Sequence, residues 1–235
     1  MTIQIDPAVL AEFQAAKLYA GGHNANSGQG CALEWASKLA GEPWSYSPAC
    51  VCPVIAPLVV KANDRMGDEL RNELIKDVVL LALGTKSTRA VERKRMFMAA
   101  DWAVRVGAPM ALRARGREDL ALRLEGLAEI VDEATARAAR DAAREVCAAA
   151  AAYAAAAAYA AADAYAAAYA AADAAAAAYA YAADAAAYAY AAAYAYAAAY
   201  AYAAAYAYAA AYAAARKPVW VSFTDLIKKM CAVAE

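Results

Sequence analysis

The chain has 235 residues, a net charge of −1 and 65% hydrophobic residues, much of that fraction being Ala. That length suits one or two domains. Residues 1–147 balance 19 basic against 19 acidic side chains, so no basic stripe attracts phosphates and nucleic-acid binding is disfavoured. The chain is also not acidic enough to mimic DNA.

Pro7 to Ala20 reads as a helix, with Pro7 at its first position and Gly21-Gly22 ending it. The stretch His23–Gly30 is a loop by composition. Cys31 to Ala40 predicts a second helix closed by Gly41, followed by a loop carrying Pro43, Pro48 and Pro53. Val54 to Met66 continues as a helix that tolerates Pro57 only in its first turn. Glu69 to Leu83 is another, stopped by Gly84. Ser87 or Thr88 caps the next, which runs to about Val106. Glu118 to Leu127 adds a short one. Strand signals are weak throughout, so the expected class is all-α: a helical head domain over residues 1–128.

Asp132 then opens a long segment with acidic residues early, as a helix start requires. Residues 148–215 contain only 50 Ala, 15 Tyr and 3 Asp. Ala has the best helix propensity of all residues, and no Gly or Pro occurs between Leu127 and Lys217. The reading is an Ala/Tyr-rich helical repeat over 129–217, as a rod or a folded-back bundle. An unbroken helix over 132–217 would extend roughly 130 Å. Arg216 and Lys217 place cations at its C-terminus and Pro218 ends it. Val219 to Phe223 is expected to be extended. A final helix over Asp225–Ala234, capped by Ser222 or Thr224, carries Leu226, Ile227, Met230 and Val233 at helical spacing. Residues 218–235 thus form a C-terminal element that must dock, on the head or on a neighbouring subunit.

Within the repeat, Tyr188, Tyr194, Tyr200, Tyr206 and Tyr212 form one hexad series, and Tyr190, Tyr196, Tyr202 and Tyr208 a second. Six helical residues turn about 600°, a net step of about −120°. The pairs 190/194, 196/200, 202/206 and 208/212 touch as i,i+4 neighbours. Successive pairs give three Tyr ridges separated by Ala grooves. Such a surface contacts neighbours on several sides, which points to a homo-oligomer or filament. The same parity places these Tyr on one face of a strand, and a hexad period suits a β-solenoid. Ala is a poor strand former, which favours the helix. A tolerated spacer is the plainest reading of so simple a repeat.

The 31 uncharged residues 185–215 are long enough to span a bilayer. However, Ala gains little from lipid and the Tyr are not gathered into interfacial belts, so membrane insertion is disfavoured. Five Cys at irregular spacing do not form a secreted disulfide framework. The first residues also lack the basic and apolar regions of a signal peptide. The expected location is cytoplasmic.

Chemistry concentrates in the head. His23, Cys31, Cys50 and Cys52 are zinc-type ligands, although the C-x-C spacing and the scatter over two loops favour packed thiols without a cofactor. Cys31 sits at a helix N-terminus, where the dipole would lower a thiol pKa, but the sole His precedes it. Asp101, Trp102 and Arg105, with Asn63-Asp64-Arg65 and Arg93/Arg95, read as an ion-pair network that fixes helix packing. A small-molecule pocket would instead draw on His23, Asn24, Glu34, Trp44, Asp101 and Arg105. No acid–base pair, nucleophile–base pair or phosphate loop stands out, which argues against an enzyme.

The motifs GHN (22–24), GCALE (30–34), AGEPWS (40–45), PACVCPVI (48–55), NDR (63–65), GT (84–85) and AADWAVR (99–105) resemble a family of bacterial and phage proteins without an assigned activity. Members often end in Ala-rich repeats bearing Tyr, Trp, Arg or Asp. Tyr46 stands where that resemblance leads one to expect Asp. The resemblance implies a modular head-and-tail layout. The combined expectation is a non-enzymatic protein that self-associates through its repeat. The alternatives are a protein that binds or sequesters a signal nucleotide or metabolite, and ice or surface binding by the Ala-rich rod.

Overall fold

The computed structural model describes residues 3–25, 27–114, 116–154 and 209–234. Among them every regular element is helical, and the fold is all-α. The α-helices among the described residues are α1 (Pro7–Ala15), α2 (Ala32–Leu39), α3 (Ile55–Arg65), α4 (Asp68–Ala82), α5 (Arg89–Trp102), α6 (Ala108–Arg113), α7 (Glu118–Glu125), α8 (Glu133–Ala154) and α9 (Ala209–Cys231). A π-helical segment, Ala103–Gly107, joins α5 to α6. The chain divides into two compact units: Met1–Arg95 with Thr224–Glu235, and Met96–Phe223. The repeat between residues 155 and 208 lies outside the described residues, as do the side chains of 209–215. The Tyr ridges, and the choice among rod, bundle and solenoid, therefore fall outside the described structure.

In the first unit α2 is the central helix. Almost its whole surface is buried, including Leu33, Trp35, Ala36 and Leu39, and α1, α3 and α4 pack around it. Helix α3 contributes Leu58, Val59 and Ala62, and α4 contributes Ile75, Val78, Val79 and Ala82. Pro57 lies in the first turn of α3, where a missing N–H breaks no helical bond. Gly41 follows α2 at φ +70°, a left-handed stop that costs a residue without Cβ nothing. By contrast, α4 is already extended at Leu83, and Gly84 (φ +70°) takes the third position of the turn that the Thr85 N–H closes on the Ala82 carbonyl.

Helix α1 is shorter than its sequence predicts. Asp6 caps it by accepting the Ala8 N–H at 2.8 Å, but it ends at Ala15 instead of Ala20. The cause is tertiary. The Leu18 N–H donates to Asn72 Oδ1 at 2.8 Å and the Tyr19 N–H to the Gly30 carbonyl at 3.0 Å, while the Leu18 side chain is buried. These residues form a strap whose backbone groups are satisfied by distant partners, so a further helical turn gains nothing.

Two buried arginines close this unit. Arg71 of α4 is 4% exposed. Its Nε donates to the Asn63 carbonyl (2.5 Å), its Nη2 to Met66 (2.6 Å) and its Nη1 to Leu18 (3.4 Å) and to Asp68 Oδ1 (2.7 Å). It thereby covers the C-terminal carbonyls of α3. Arg95 of α5 is 2% exposed. Its Nε donates to the Met230 carbonyl (2.8 Å), its Nη2 to Val233 (2.9 Å) and its Nη1 to Thr85 (2.5 Å). The C-terminal element therefore docks within its own chain, on residues that precede the repeat.

In the second unit α6, α7 and α8 bury Leu112, Leu120, Leu124 and Val146 together. Arg113 reaches both Glu118 and Glu125, tying α6 to the ends of α7. Asp132 caps α8 as expected, accepting the Thr135 N–H at 2.8 Å. The helix predicted to run from residue 88 to about Val106 instead leaves α geometry after Trp102. The Trp102 ring lies against Gly107 at the end of this wider turn: a Cβ on Gly107 would lie only 2.9 Å from it. That ring packs on Phe223 at 4.9 Å, and its Nε1 donates to Ser222 Oγ at 2.9 Å.

Helix α9 corrects a second expectation. It runs through Pro218, and Val219–Phe223 is helical instead of extended. The buried positions Val219, Trp220, Phe223, Leu226, Ile227 and Met230 form one continuous stripe at helical spacing. Burying Trp220 and Phe223 outweighs a Pro at a position that is itself exposed. An interior Pro lacks a donor and crowds the carbonyl four residues earlier, which costs about 3 kcal/mol. Pro218→Ala should therefore stabilise the protein by about 1–3 kcal/mol in urea denaturation. A loss of stability would contradict a helix continuous through residue 218.

Candidate functional site

The sequence-predicted ligand residues divide between the two units. His23, Asn24, Glu34 and Trp44 belong to the first, Asp101 and Arg105 to the second. Each group is described by itself.

Glu34 organises the first. It occupies the third position of α2, and its side chain returns to the backbone of Cys31 at the cap, as in a capping box. Oε2 accepts the Cys31 N–H at 2.7 Å and faces His23 Nδ1 at 3.2 Å, while Oε1 accepts the His23 N–H at 2.6 Å. The residue is only 2% exposed. Burial alone would raise its pKa. The N–H groups of Cys31 and His23, and the His23 ring, outweigh burial and hold the carboxyl below the ordinary value of 4.5. The carboxylate is thus the charged anchor of the loop 21–31.

Aromatic rings surround this pair. Trp44 Nε1 donates to the His23 carbonyl at 2.8 Å, and the Tyr19 and His23 rings lie 5.9 Å apart. Trp35 and Trp44 meet edge-to-face at 5.9 Å. Gly30 fits between them because it has no Cβ: one built there would lie 2.8 Å from Trp35 Nε1 and from Trp44 Cη2. His23 keeps a side-chain exposure of 13%. With Nδ1 directed at a carboxylate, Nε2 is the nitrogen left to face a ligand. The tautomer follows from the carboxylate, which can only accept. Asn24 sits in a turn, its carbonyl accepting the Ser27 hydroxyl and N–H.

The three cysteines of the zinc-type set, Cys31, Cys50 and Cys52, are free. Among the described residues, no group of three or more His, Cys, Asp and Glu is arranged to hold a metal ion. Nor is Cys31 activated by its helix. Burial, with the Glu34 carboxylate adding to it, pushes its thiol up to about 12 despite stabilising backbone N–H contacts. Burial also raises Cys50, whose N–H donates to Glu42 Oε1 at 2.8 Å. The Cys52 N–H donates to Thr85 Oγ1 at 3.0 Å.

In the second unit Arg105 Nη1 donates to Asp101 Oδ1 at 2.8 Å, and the same oxygen accepts the Ile130 N–H at 2.9 Å. This pair ties the segment before α8 to the end of α5. Sequence reasoning missed Arg71 and Tyr19. Arg71 lies in a stretch of alternating charge that reads as a solvated face, and Tyr19 falls within the residues predicted as helix. Asn63 was visible only as a polar point. It accepts the Ala32 N–H at 3.2 Å and donates to the Tyr19 carbonyl at 2.8 Å and to Asp64 at 2.9 Å. No family model, curated protein or solved structure matches the chain.

The Glu34 geometry sets a pH dependence. Its folded pKa lies below the unfolded value, so its stabilisation is complete above about 4.5. It is lost as pH falls through the lowered value. Glu34→Gln should cost about 2 kcal/mol at pH 7, with the gap to wild type narrowing below pH 4.5 in urea denaturation. A gap independent of pH would contradict a charged Glu34 anchor.

Proposed function

We propose that this chain is a non-enzymatic assembly protein whose Ala/Tyr repeat is the interaction element and whose helices anchor it. One observation carries the reading: the repeat is bounded by two rooted helices. Helix α8 enters it from the Leu112–Leu120–Leu124–Val146 cluster. Helix α9 leaves it toward buried Trp220, Phe223, Ile227 and Met230. A segment of 68 residues with only Ala, Tyr and Asp offers contact area without catalytic groups. Tyr side chains supply large rings with a polar tip, which suits packing between copies. The charged groups of the head support this division of labour, since Glu34, Arg71 and Arg95 are engaged with backbone groups.

A second reading rests on His23. A ring oriented by Glu34, flanked by Tyr19 and Trp44, suits a small planar ligand that offers a hydrogen-bond donor. Among the described residues no helix is long and apolar enough to cross a membrane.

Light scattering with in-line chromatography on the full chain separates the two. The assembly reading predicts a mass that rises with concentration above 24.5 kDa. It also predicts loss of that rise when the nine Tyr from Tyr188 to Tyr212 are changed to Ala. A 24.5 kDa species for wild type across a hundredfold concentration range would contradict assembly and leave the His23 reading.

A further inference from the structure

Two cysteines that lie far apart in the sequence share one set of neighbours. Cys52 is fully buried, and its N–H rests on the Thr85 hydroxyl at 3.0 Å. The carbonyl of Thr85 accepts Arg95 Nη1 at 2.5 Å, and Arg95 Nε donates to the carbonyl of Met230 at 2.8 Å. Met230 directly precedes Cys231. One guanidinium therefore spans the backbone beside Cys52 and the backbone beside Cys231, both within the unit formed by Met1–Arg95 and Thr224–Glu235. Both thiols are free. Cys50 lies two residues from Cys52, but its N–H points to Glu42 and its carbonyl accepts the Lys86 N–H.

We infer that Cys52 and Cys231 form a redox-sensitive latch, in which a disulfide between them fastens the C-terminal end of α9 to the head. The inference is independent of what the repeat does. The oxidant is a low-molecular-weight disulfide. Cys231, the partly exposed member, loses its proton and attacks one sulfur of that disulfide, releasing one small thiol. Cys52 loses its proton and attacks Cys231 Sγ, releasing the second small thiol. One S–S bond breaks and one forms. The two protein thiols are oxidised and the small disulfide is reduced to two thiols, which take up the two protons.

Burial pushes the Cys231 thiol up to about 12; Arg95 opposes this, and the Cys52 sulfur adds to it by repulsion. A thiol so raised exchanges slowly at neutral pH. The latch then responds to a sustained oxidising shift and not to a brief one.

The test incubates the folded full chain with oxidised glutathione, followed by intact mass and peptide mapping under non-reducing conditions. The expected product has lost two hydrogens, carries a Cys52–Cys231 link and no stable glutathione adduct, and melts several degrees above the reduced protein. Cys50→Ser should form the same link and Cys231→Ser should not. A link between Cys50 and either partner in place of this one would overturn the inference. So would a persistent mixed disulfide on Cys231, or no reaction under conditions where the urea-unfolded chain oxidises.

Discussion

The structure depends on guanidinium groups buried against the C-terminal carbonyls of neighbouring helices. The last four carbonyls of a helix lack internal partners, and the helix dipole concentrates partial negative charge there. An arginine offers five donors in a rigid fork and stays charged. Burying that charge is costly unless each donor is met. Here carbonyl oxygens meet most of them. Arg71 binds the end of α3 and the strap at Leu18 together. Arg95 binds the end of α9 to the turn at Thr85. The second contact has the longer reach: it joins residues on opposite sides of the repeat, 135 and 138 positions apart.

The same economy governs the loop that carries His23. Glu34, Asn63 and Asp64 satisfy backbone donors at Cys31, His23, Ala32 and Gly21. These polar side chains replace the regular hydrogen bonding that a loop lacks, since a buried unpaired N–H costs about 1–3 kcal/mol. The loop is thereby fixed, and the His23 ring is oriented as a consequence. Much of the polar chemistry visible in the head is spent on structure.

Much of the fold was legible because local rules coincide with tertiary ones. Gly41 stops α2 and Gly84 turns the chain after α4, each at a left-handed backbone position, and Asp132 caps α8 through Thr135. The misreadings share a cause: a distant partner overrode a local signal. Leu18 and Tyr19 carry good helical residues, yet Asn72 and Gly30 take their N–H groups. Pro218 is a strong local stop, yet the stripe from Val219 to Met230 carries the helix through it. The π-helical turn after Trp102 is not encoded by any pattern of hydrophobicity. At the site, the spacing Cys31–Glu34 gives the capping-box contact, but the pairing of Glu34 with His23 crosses 11 positions of loop and leaves no local signal. Cys31 sits at a helix N-terminus, which by itself would activate a thiol, but burial beside Glu34 opposes that and raises its pKa.

Amide hydrogen exchange on Thr224–Val233 tests the arginine constraint most directly. In the wild-type chain these amides should be protected to a degree comparable with α3 and α4. In Arg95→Ala that protection should fall toward that of an isolated helix, by about a hundredfold, while α3 and α4 change little. Protection of Thr224–Val233 that is unchanged in the variant would contradict the account: apolar burial alone would then hold the C-terminal element, and the guanidinium would be incidental to it.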